Sequence, residues 1–309
     1  MTDLSRMKCI FIYNPVSGKG KIAKKLEYIV DSLKESYEEV EVYATKAAGD
    51  MRRVARESVG VYDAIIFSGG DGSFNEVLQG IGDLDNLPRL GYIPSGTVND
   101  IARTLGIPKN IKKALQIIKD GRAELLDCMK VNDNYAMYVV AAGAFTSATY
   151  TTSQTQKNHM GKIAYWLHGA KKNLKFQVFD VNCQGETKSV HSHCVLITMM
   201  NSRSVAGFRL NKKACLQDGK IEVAIVKQKE NPKFCQKVRA LFAVARLFLF
   251  GYKTKLKRLE KLEGSFFDVQ AGDDVVWNFD GEKGSSGNVH VEVVPKKVNM
   301  IVPKKLKLI

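Results

Sequence analysis

No two of the six cysteines in this 309-residue chain stand at C-x-x-C spacing. Cys9, Cys128, Cys183, Cys194, Cys215 and Cys235 are scattered, and His191 and His193 have no cysteine partners at zinc spacing. They therefore read as reduced, mostly core cysteines. Long apolar runs are missing as well. Cys9 to Tyr13 is too short for a secretory h-region. Val238 to Gly251 is interrupted by Arg246 and falls short of the ~20 apolar residues of a spanning helix. A soluble, cytoplasmic protein is expected. There is no internal repeat, no low-complexity linker and no nucleic-acid-binding motif, so nucleic acid is not an expected partner. Acidic residues are scarce, 32 against 47 Lys and Arg, a net charge of +15 (47 − 32). That excess points to an anionic partner such as a nucleotide or an anionic membrane surface.

With 45% hydrophobic residues the chain has material for two cores. Up to about residue 125 its pattern alternates. Strands are predicted at Lys8 to Tyr13, Val40 to Tyr43, Ala64 to Phe67 and Leu90 to Pro94. Between and after them helices are predicted at Ile22 to Leu33, Met51 to Glu57, Phe74 to Gln79 and Ile111 to Lys119. This is the signature of a doubly wound parallel sheet. From residue 126 to 297 strand follows strand: Glu124 to Val131, Tyr135 to Ala141, Phe176 to Val181, Ser192 to Met199, Lys220 to Val226, Asp274 to Phe279 and Val289 to Val294. An antiparallel β-rich domain is expected there, with helices at Ile163 to Lys172 and Phe234 to Phe250. A last strand, Val298 to Val302, is placed as a return of residues 298–309 to the first domain.

Ligands of parallel sheets lie beyond the carboxyl ends of the strands. Three glycine-bearing loops fall there: "NPVSGKGK", "GGDGS" and "PSGTVND". Bare backbone amides at a strand-to-helix turn cradle anions, most often phosphate. Asp71 within "GGDG" would repel a phosphate unless a divalent cation bridges them, which points to metal-nucleotide chemistry. The plainer alternative is a left-handed turn with a capping aspartate. "SGKGK" is not a P-loop, because Tyr13 stands where the first glycine of G-x-x-x-x-G-K-[ST] belongs.

"YNPVSGKG", "FSGGDGSFNEV", "GYIPSGTVNDIARTLGIP", "LLDCMKVN", "NSRSVAGF", "LQDGKIEV" and "NFDGE" occur in that order between Tyr13 and Glu282, within a match that runs from about Lys8 to Pro303. Together they resemble the soluble, bacterial-type diacylglycerol kinase family, lipid kinases related to sphingosine and ceramide kinases. The resemblance implies an N-terminal nucleotide domain, a C-terminal β-sandwich-like domain and an active site between them. It puts ATP contacts on Asn14, Pro15, Val16, Ser17 and Gly18, on Thr45, on Gly70, Asp71, Gly72, Ser73, Phe74, Asn75 and Glu76, and on Thr97. Ser73 replaces the usual threonine and keeps the hydroxyl. Ser95 occupies a variable position. By the same resemblance Glu282, in a turn after a strand, is the general base for the attacking alcohol. Asp71 orients the Mg2+ that bridges the phosphates, and Asp127 completes a water-linked acidic network. A second Mg2+ would take the side chain of Asp218 and the carbonyls of Cys215 and Lys220. For Asp280-Gly281-Glu282 an ordinary hairpin turn, and for Asp218-Gly219 an ordinary Asp-Gly turn, are the plainer readings.

Asn134 to Phe179 and Asn231 to Leu259 contain no Asp or Glu. In the first, Lys157, Lys162, Lys171, Lys172 and Lys175 surround Tyr165, Trp166 and Leu167, a mixture that suits an anionic bilayer. A solvated basic face is the bland alternative. The expectation is an ATP- and Mg2+-dependent kinase, peripherally membrane-associated, acting on a lipid in the membrane, diacylglycerol first. Rival acceptors are a sphingoid base, monoacylglycerol or phosphatidylglycerol. An NAD kinase and a nucleotide-sensing module are the more distant rivals, and oligomeric state is open, with a homodimer as one form.

Overall fold

The computed structural model describes residues 7–144 and 177–306. The predicted helix Ile163 to Lys172 and the Lys157 to Lys175 surface lie outside them. The chain divides into two compact units, Met1–Cys128 with Pro295–Ile309, and Met129–Val294. It passes from the first to the second inside one strand, β5 (Arg122–Val131), and returns inside another, β15 (Val289–Val302). No turn marks either crossing, so the boundaries fall three residues from the sequence-based 125 and 297.

In the first unit β1 (Lys8–Tyr13), β2 (Glu39–Ala44), β3 (Ala64–Gly69) and β4 (Arg89–Pro94) are joined by helices. They pair in parallel as β2-β1-β3-β4, and Met300 of β15 adds alongside Leu90 of β4. Every residue of β3 is buried, as a central parallel strand covered on both faces requires. β2 is the edge, and its Glu39, Glu41 and Val42 are exposed. Charge on an outer strand discourages pairing with another chain.

The helices are α1 (Leu26–Lys34), α2 (Asp50–Glu57), α3 (Asp71–Ile81), α4 (Asp100–Thr104) and α5 (Ile111–Asp120). The first starts four residues later than its periodicity predicts. Gly18 and Gly20, both at positive φ, and two short 3-10 turns occupy Ser17–Gly20 and Ala23–Lys25. α4 is too short to show an apolar period. The Asn110 side chain opens α5 by accepting the Lys113 amide at 3.0 Å.

The second unit is antiparallel. β6 (Asn134–Ala136) pairs with β5, while β7 (Val139–Gly143), β8 (Phe179–Gly185), β9 (Ser189–Met200) and β10 (Ile221–Lys227) build its centre. β11 (Leu259–Gly264), β12 (Phe266–Ala271), β13 (Val276–Phe279) and β14 (Glu282–Ser286) complete it. The 12-residue β9 pairs with β8 through Ser189 to Cys194 and with both β7 and β10 through Leu196 to Met200. Trp277, Phe267, Ile197, Met199 and Val223 lie in the core between. A sixth helix, α6 (Phe234–Phe250), follows β10 and buries Ala240, Ala243, Val244, Leu247 and Phe248.

Sequence periodicity misses β11 and β14, which are short and rich in charged or small residues, and β12, whose alternation of covered and exposed residues spans only six positions. The predicted strand Tyr135 to Ala141 is in fact β6 and β7, and the two predicted C-terminal strands are one. The first difference arises from a buried carboxylate that takes backbone amides out of the ladder, described below; in the second, the strand runs on through an irregularity at Lys296 without ending. The cysteines form no disulfide among the described residues; Cys9, Cys128, Cys183 and Cys194 are buried, whereas Cys215 is partly exposed and Cys235 exposed.

α2 and α3 approach so closely that a Cβ on Gly80 would overlap the Arg52 carbonyl oxygen. Helix propensity favours alanine over glycine by up to ~1 kcal/mol, but this contact is backbone and cannot rotate away. Gly80→Ala is expected to destabilise the protein by about 1–3 kcal/mol, read as a lower urea midpoint. A raised midpoint would show that the two helices are not in such contact.

Candidate active site

The three glycine loops converge at the carboxyl ends of β1, β3 and β4. After β1, the Asn14 side chain accepts the Val16 amide at 3.0 Å and its carbonyl accepts the Ser17 amide at 3.1 Å. This local turn leaves Val16 80% exposed. Gly18 follows at φ +60°, where a Cβ would come within 3.0 Å of the Ser95 carbonyl. Only glycine satisfies both conditions. Ser95 Oγ lies 3.0 Å from Ser17 Oγ and 3.3 Å from Ser68 Oγ, and Ser68 donates to the Ile93 carbonyl at 2.8 Å. The sequence reading gave Ser95 no importance; in the structure its hydroxyl ties the β1 loop to the β4 loop and to the end of strand β3.

The β3 and β4 loops touch backbone to backbone. A Cβ on Gly96 would lie 2.5 Å from Gly70 Cα, and one on Gly69 would overlap the Ser73 side chain. The Ser95 and Gly96 amides donate to the Gly69 carbonyl at 2.8 and 3.2 Å, and the buried Tyr92 hydroxyl donates to it at 3.1 Å. Burial, reinforced by the charge of Asp71, raises the Tyr92 phenol well above its ordinary range and keeps it a donor.

Asp71 opens α3, and its carboxylate reaches across to the next loop. Oδ2 accepts the Asn99 amide at 2.8 Å and Oδ1 the Asp100 amide at 2.7 Å. The plainer reading of the motif, a left-handed turn with a capping aspartate, is thus half met: Asp71 caps, but it caps α4, and Gly70 is extended at φ −98°. The left-handed residue is Asn99, φ 55°, whose side chain donates to the Gly96 carbonyl at 2.9 Å. Lys109 adds a cation there, donating to the carbonyls of Gly96 and Thr97. Neither Asn99 nor Lys109 was singled out from sequence, because their partners lie on a turn that only the fold closes.

The first amides of α3 have no intrahelical carbonyl to bond, so Gly72 and Ser73 present a donor pair at its positive end. The cradle ends there. The Phe74 amide is spent on the Gly70 carbonyl at 3.1 Å, and its ring packs on Phe67 and Tyr92. Asn75 is buried with its side chain toward Gln79, whereas Glu76 is half-buried. Thr45 directly follows the β2 strand, its amide bonded to the Tyr13 carbonyl at 2.9 Å, and Asp50 holds the next turn by accepting the Lys46 and Ala47 amides. The structure thus brings residues 14–18, 70–73 and 95–97 together, with Thr45 at the neighbouring strand end.

Asp127 is 1% exposed and accepts the Lys296 amide at 2.8 Å. Lys296 sits at φ 55° within β15, so this carboxylate fixes an irregularity inside one continuous strand. In the second unit Asp280 does the same for β6 and β7. It is 2% exposed, and its carboxylate accepts the amides of Met137, Tyr138 and Val139 at 2.5, 2.9 and 3.0 Å. The Tyr138 hydroxyl donates to the Asp280 carbonyl at 2.8 Å. Asp280 and Gly281 have φ of 54° and 95°, as in the tight hairpin that Asp-Gly favours. Phe279 pairs with Glu282 across it. Glu282 is therefore the exposed first residue of β14 and not a turn residue, and the missed residue is Asp280, which anchors it.

At the suggested second metal position, Asp218 is exposed and accepts the Lys220 amide at 3.2 Å across Gly219 at φ 69°. Burial pushes the nearby Glu222 carboxyl up to about 7 against a bond from Asn211, and the charges of Asp218 and Glu263 add to the rise. Among the described residues no three His, Cys, Asp or Glu side chains cluster as a metal site, and none of the six helices is long and apolar enough to cross a membrane.

Comparison with known proteins gives these features a family. The model of the diacylglycerol kinase catalytic domain matches residues 8–131, and that of the YegS C-terminal NAD kinase beta sandwich-like domain matches residues 138–302. The chain is 30% identical to a diacylglycerol kinase of Bacillus subtilis (strain 168), over 95% of each chain. It is 32% identical to a diacylglycerol kinase of Staphylococcus saprophyticus, over 93% of this chain and 95% of that one. Two crystal structures from Bacillus anthracis str. Sterne share the fold, with TM-scores of 0.80 and 0.76 at 24% and 21% identity, over 96% of this chain and 97% of each of theirs. Full-length similarity to named kinases, with the catalytic-domain model lying over the three-loop cradle, means that the chain belongs to the bacterial-type diacylglycerol kinase family.

Proposed function

We propose that this protein transfers the γ-phosphoryl group of ATP to the free hydroxyl of diacylglycerol, giving phosphatidic acid and ADP. The observation that carries the reading is the cradle of Ser17, Gly18, Gly70, Gly72, Ser73 and Gly96. Cβ atoms on Gly18, Gly70 and Gly96 would crowd neighbouring loop atoms, so bare backbones lie close together at the positive end of α3. The Gly72 and Ser73 amides there have no intrahelical acceptor, and such donors fit a polyphosphate. Glu282 takes the acceptor's proton as the new O–P bond forms and the bond to the ADP oxygen breaks. The paired hairpin start and the Asp280 anchor hold its backbone in a defined place. This agrees with positioning by rigid backbone, the usual route to a fixed base.

Mg2+ would supply charge neutralisation on the transferring phosphates. Asp71 fits that neighbourhood as a carboxylate whose two oxygens already hold the Asn99 and Asp100 amides, so it orients the metal best through water. Asp127, fixed by the Lys296 amide, belongs to the same acidic network in this reading. Asp218, with the carbonyls of Cys215 and Lys220, is the place for a second, structural cation.

Incubation with labelled ATP and a total lipid extract is expected to label phosphatidic acid; a label on NAD or on a sphingoid base instead would refute the acceptor. Glu282→Gln is expected to lower turnover by ~10²- to 10⁴-fold with ATP affinity nearly intact, and normal turnover would remove it from the chemistry. Asp71→Ala should raise the Mg2+ requirement and also lower the melting temperature, because two amides lose their acceptor; an unchanged Mg2+ dependence would leave Asp71 a purely structural role. Asp280→Ala strands three buried amides at ~1–3 kcal/mol each. Both stability and kcat should fall while the KM for ATP holds, and a stable variant with full kcat would show that Glu282 needs no such anchor.

A further inference from the structure

α6 turns an apolar face outward. Phe234 is 71% exposed, Phe242 62%, Leu249 69% and Phe250 66%, with Val238 at 45%. At 3.6 residues per turn, Phe234, Val238, Phe242, Ala245 and Leu249 fall within an arc of about 80°. This stripe is opposite in kind to the buried side, Ala240, Ala243, Val244, Leu247 and Phe248. An exposed row of large apolar side chains on a folded unit marks an interaction surface.

The charges beside it identify the partner. From Asn231 to Leu259 there are eight Lys or Arg and no acid, and no ion pair involves any of the eight among the described residues. Arg246 is the most telling. Its guanidinium lies 6.0 Å from the Phe242 ring centroid and 5.6 Å from that of Phe250, one turn to either side. A cation held between two outward-facing rings suits a surface that is apolar below and anionic at the level of the guanidinium. The phosphate layer of a bilayer has that profile.

We infer that α6 is an interfacial helix: Phe234, Phe242, Leu249 and Phe250 enter the acyl boundary of an anionic membrane and Arg246 binds lipid phosphate at its surface. The helix is too short and too charged to span, and it lies flat. The surface shares no residue with the phosphate cradle or with the Glu282 hairpin. It explains how an enzyme read as acting on a bilayer lipid reaches its substrate, yet it stands on its own geometry.

The test is sedimentation of the full chain with phosphatidylglycerol-rich vesicles and with phosphatidylcholine vesicles. Wild type is expected to partition to the former. Phe242→Glu with Leu249→Glu should reduce that partitioning by about tenfold or more, and Arg246→Ala should reduce it on anionic vesicles only. Turnover on short-chain diacylglycerol in detergent should be unaffected in the double variant, since these residues belong neither to the cradle nor to the Glu282 hairpin. Phe242→Trp supplies a readout that does not depend on a disruptive change: its emission should shift to shorter wavelength on adding anionic vesicles. The inference is overturned by undiminished binding of the double variant, by equal binding to neutral vesicles, by unshifted emission from the Phe242→Trp protein, or by a wild-type dimer that the double variant dissolves, which would make the face a subunit interface. Vesicle binding with no lipid phosphorylation would refute the kinase reading and leave the docking helix supported.

Discussion

The loops at the carboxyl end of the parallel sheet depend on one contact, the meeting of Gly70 and Gly96. Two backbones this close cannot carry side chains, and they cannot be left with unpaired amides either. Asp71 resolves the second difficulty from one side of the contact by accepting the amides of Asn99 and Asp100 on the other. Tyr92 and the Ser17, Ser68 and Ser95 hydroxyls complete the joint. Everything proposed for phosphate binding presumes that this joint is closed before any ligand arrives, because donors aimed in advance cost no reorganisation when charge develops.

The same solution recurs twice. Asp127 holds the irregular Lys296 within β15, and Asp280 holds the break between β6 and β7. In each case a buried carboxylate replaces ladder bonds that the backbone gives up. Charge-assisted bonds to amides are stronger than the neutral bonds they replace. A buried carboxylate with its amides removed, or amides with their carboxylate removed, is correspondingly costly. Conformations otherwise expensive for non-glycine residues, at Asn99, Asp280 and Lys296, are held at these points.

Much of the architecture was legible because its signals are local. An unbroken apolar run predicts β3, glycines after strands predict the loops, and position in the chain orders them. What escaped detection depends on residues far apart. Asp280 meets amides more than a hundred positions away, and nothing near it in sequence says so. Ser95 looks interchangeable until Ser17 and Ser68 are seen beside it. α4 is five residues long and exists by virtue of Asp71, and β14 is made of residues with little strand preference, held by its hairpin. For α6 the helix was legible, but the division of its many apolar residues into an inner and an outer face was not, since that depends on which side β10 covers.

The return of β15 to the first unit bears on how the protein is made. Met300 pairs with Leu90, 210 positions earlier (300 − 90), so on the ribosome the β4 edge waits, uncovered, while all of residues 129–294 are synthesised. Those residues form an uninterrupted unit and can close as soon as they emerge. The usual order, amino-terminal part first, is thereby inverted: the sheet that carries the phosphate loops is sealed last, by a long-range pairing of the kind that slows folding, and a nascent chain halted before residue 300 would carry a finished second unit and an unfinished first.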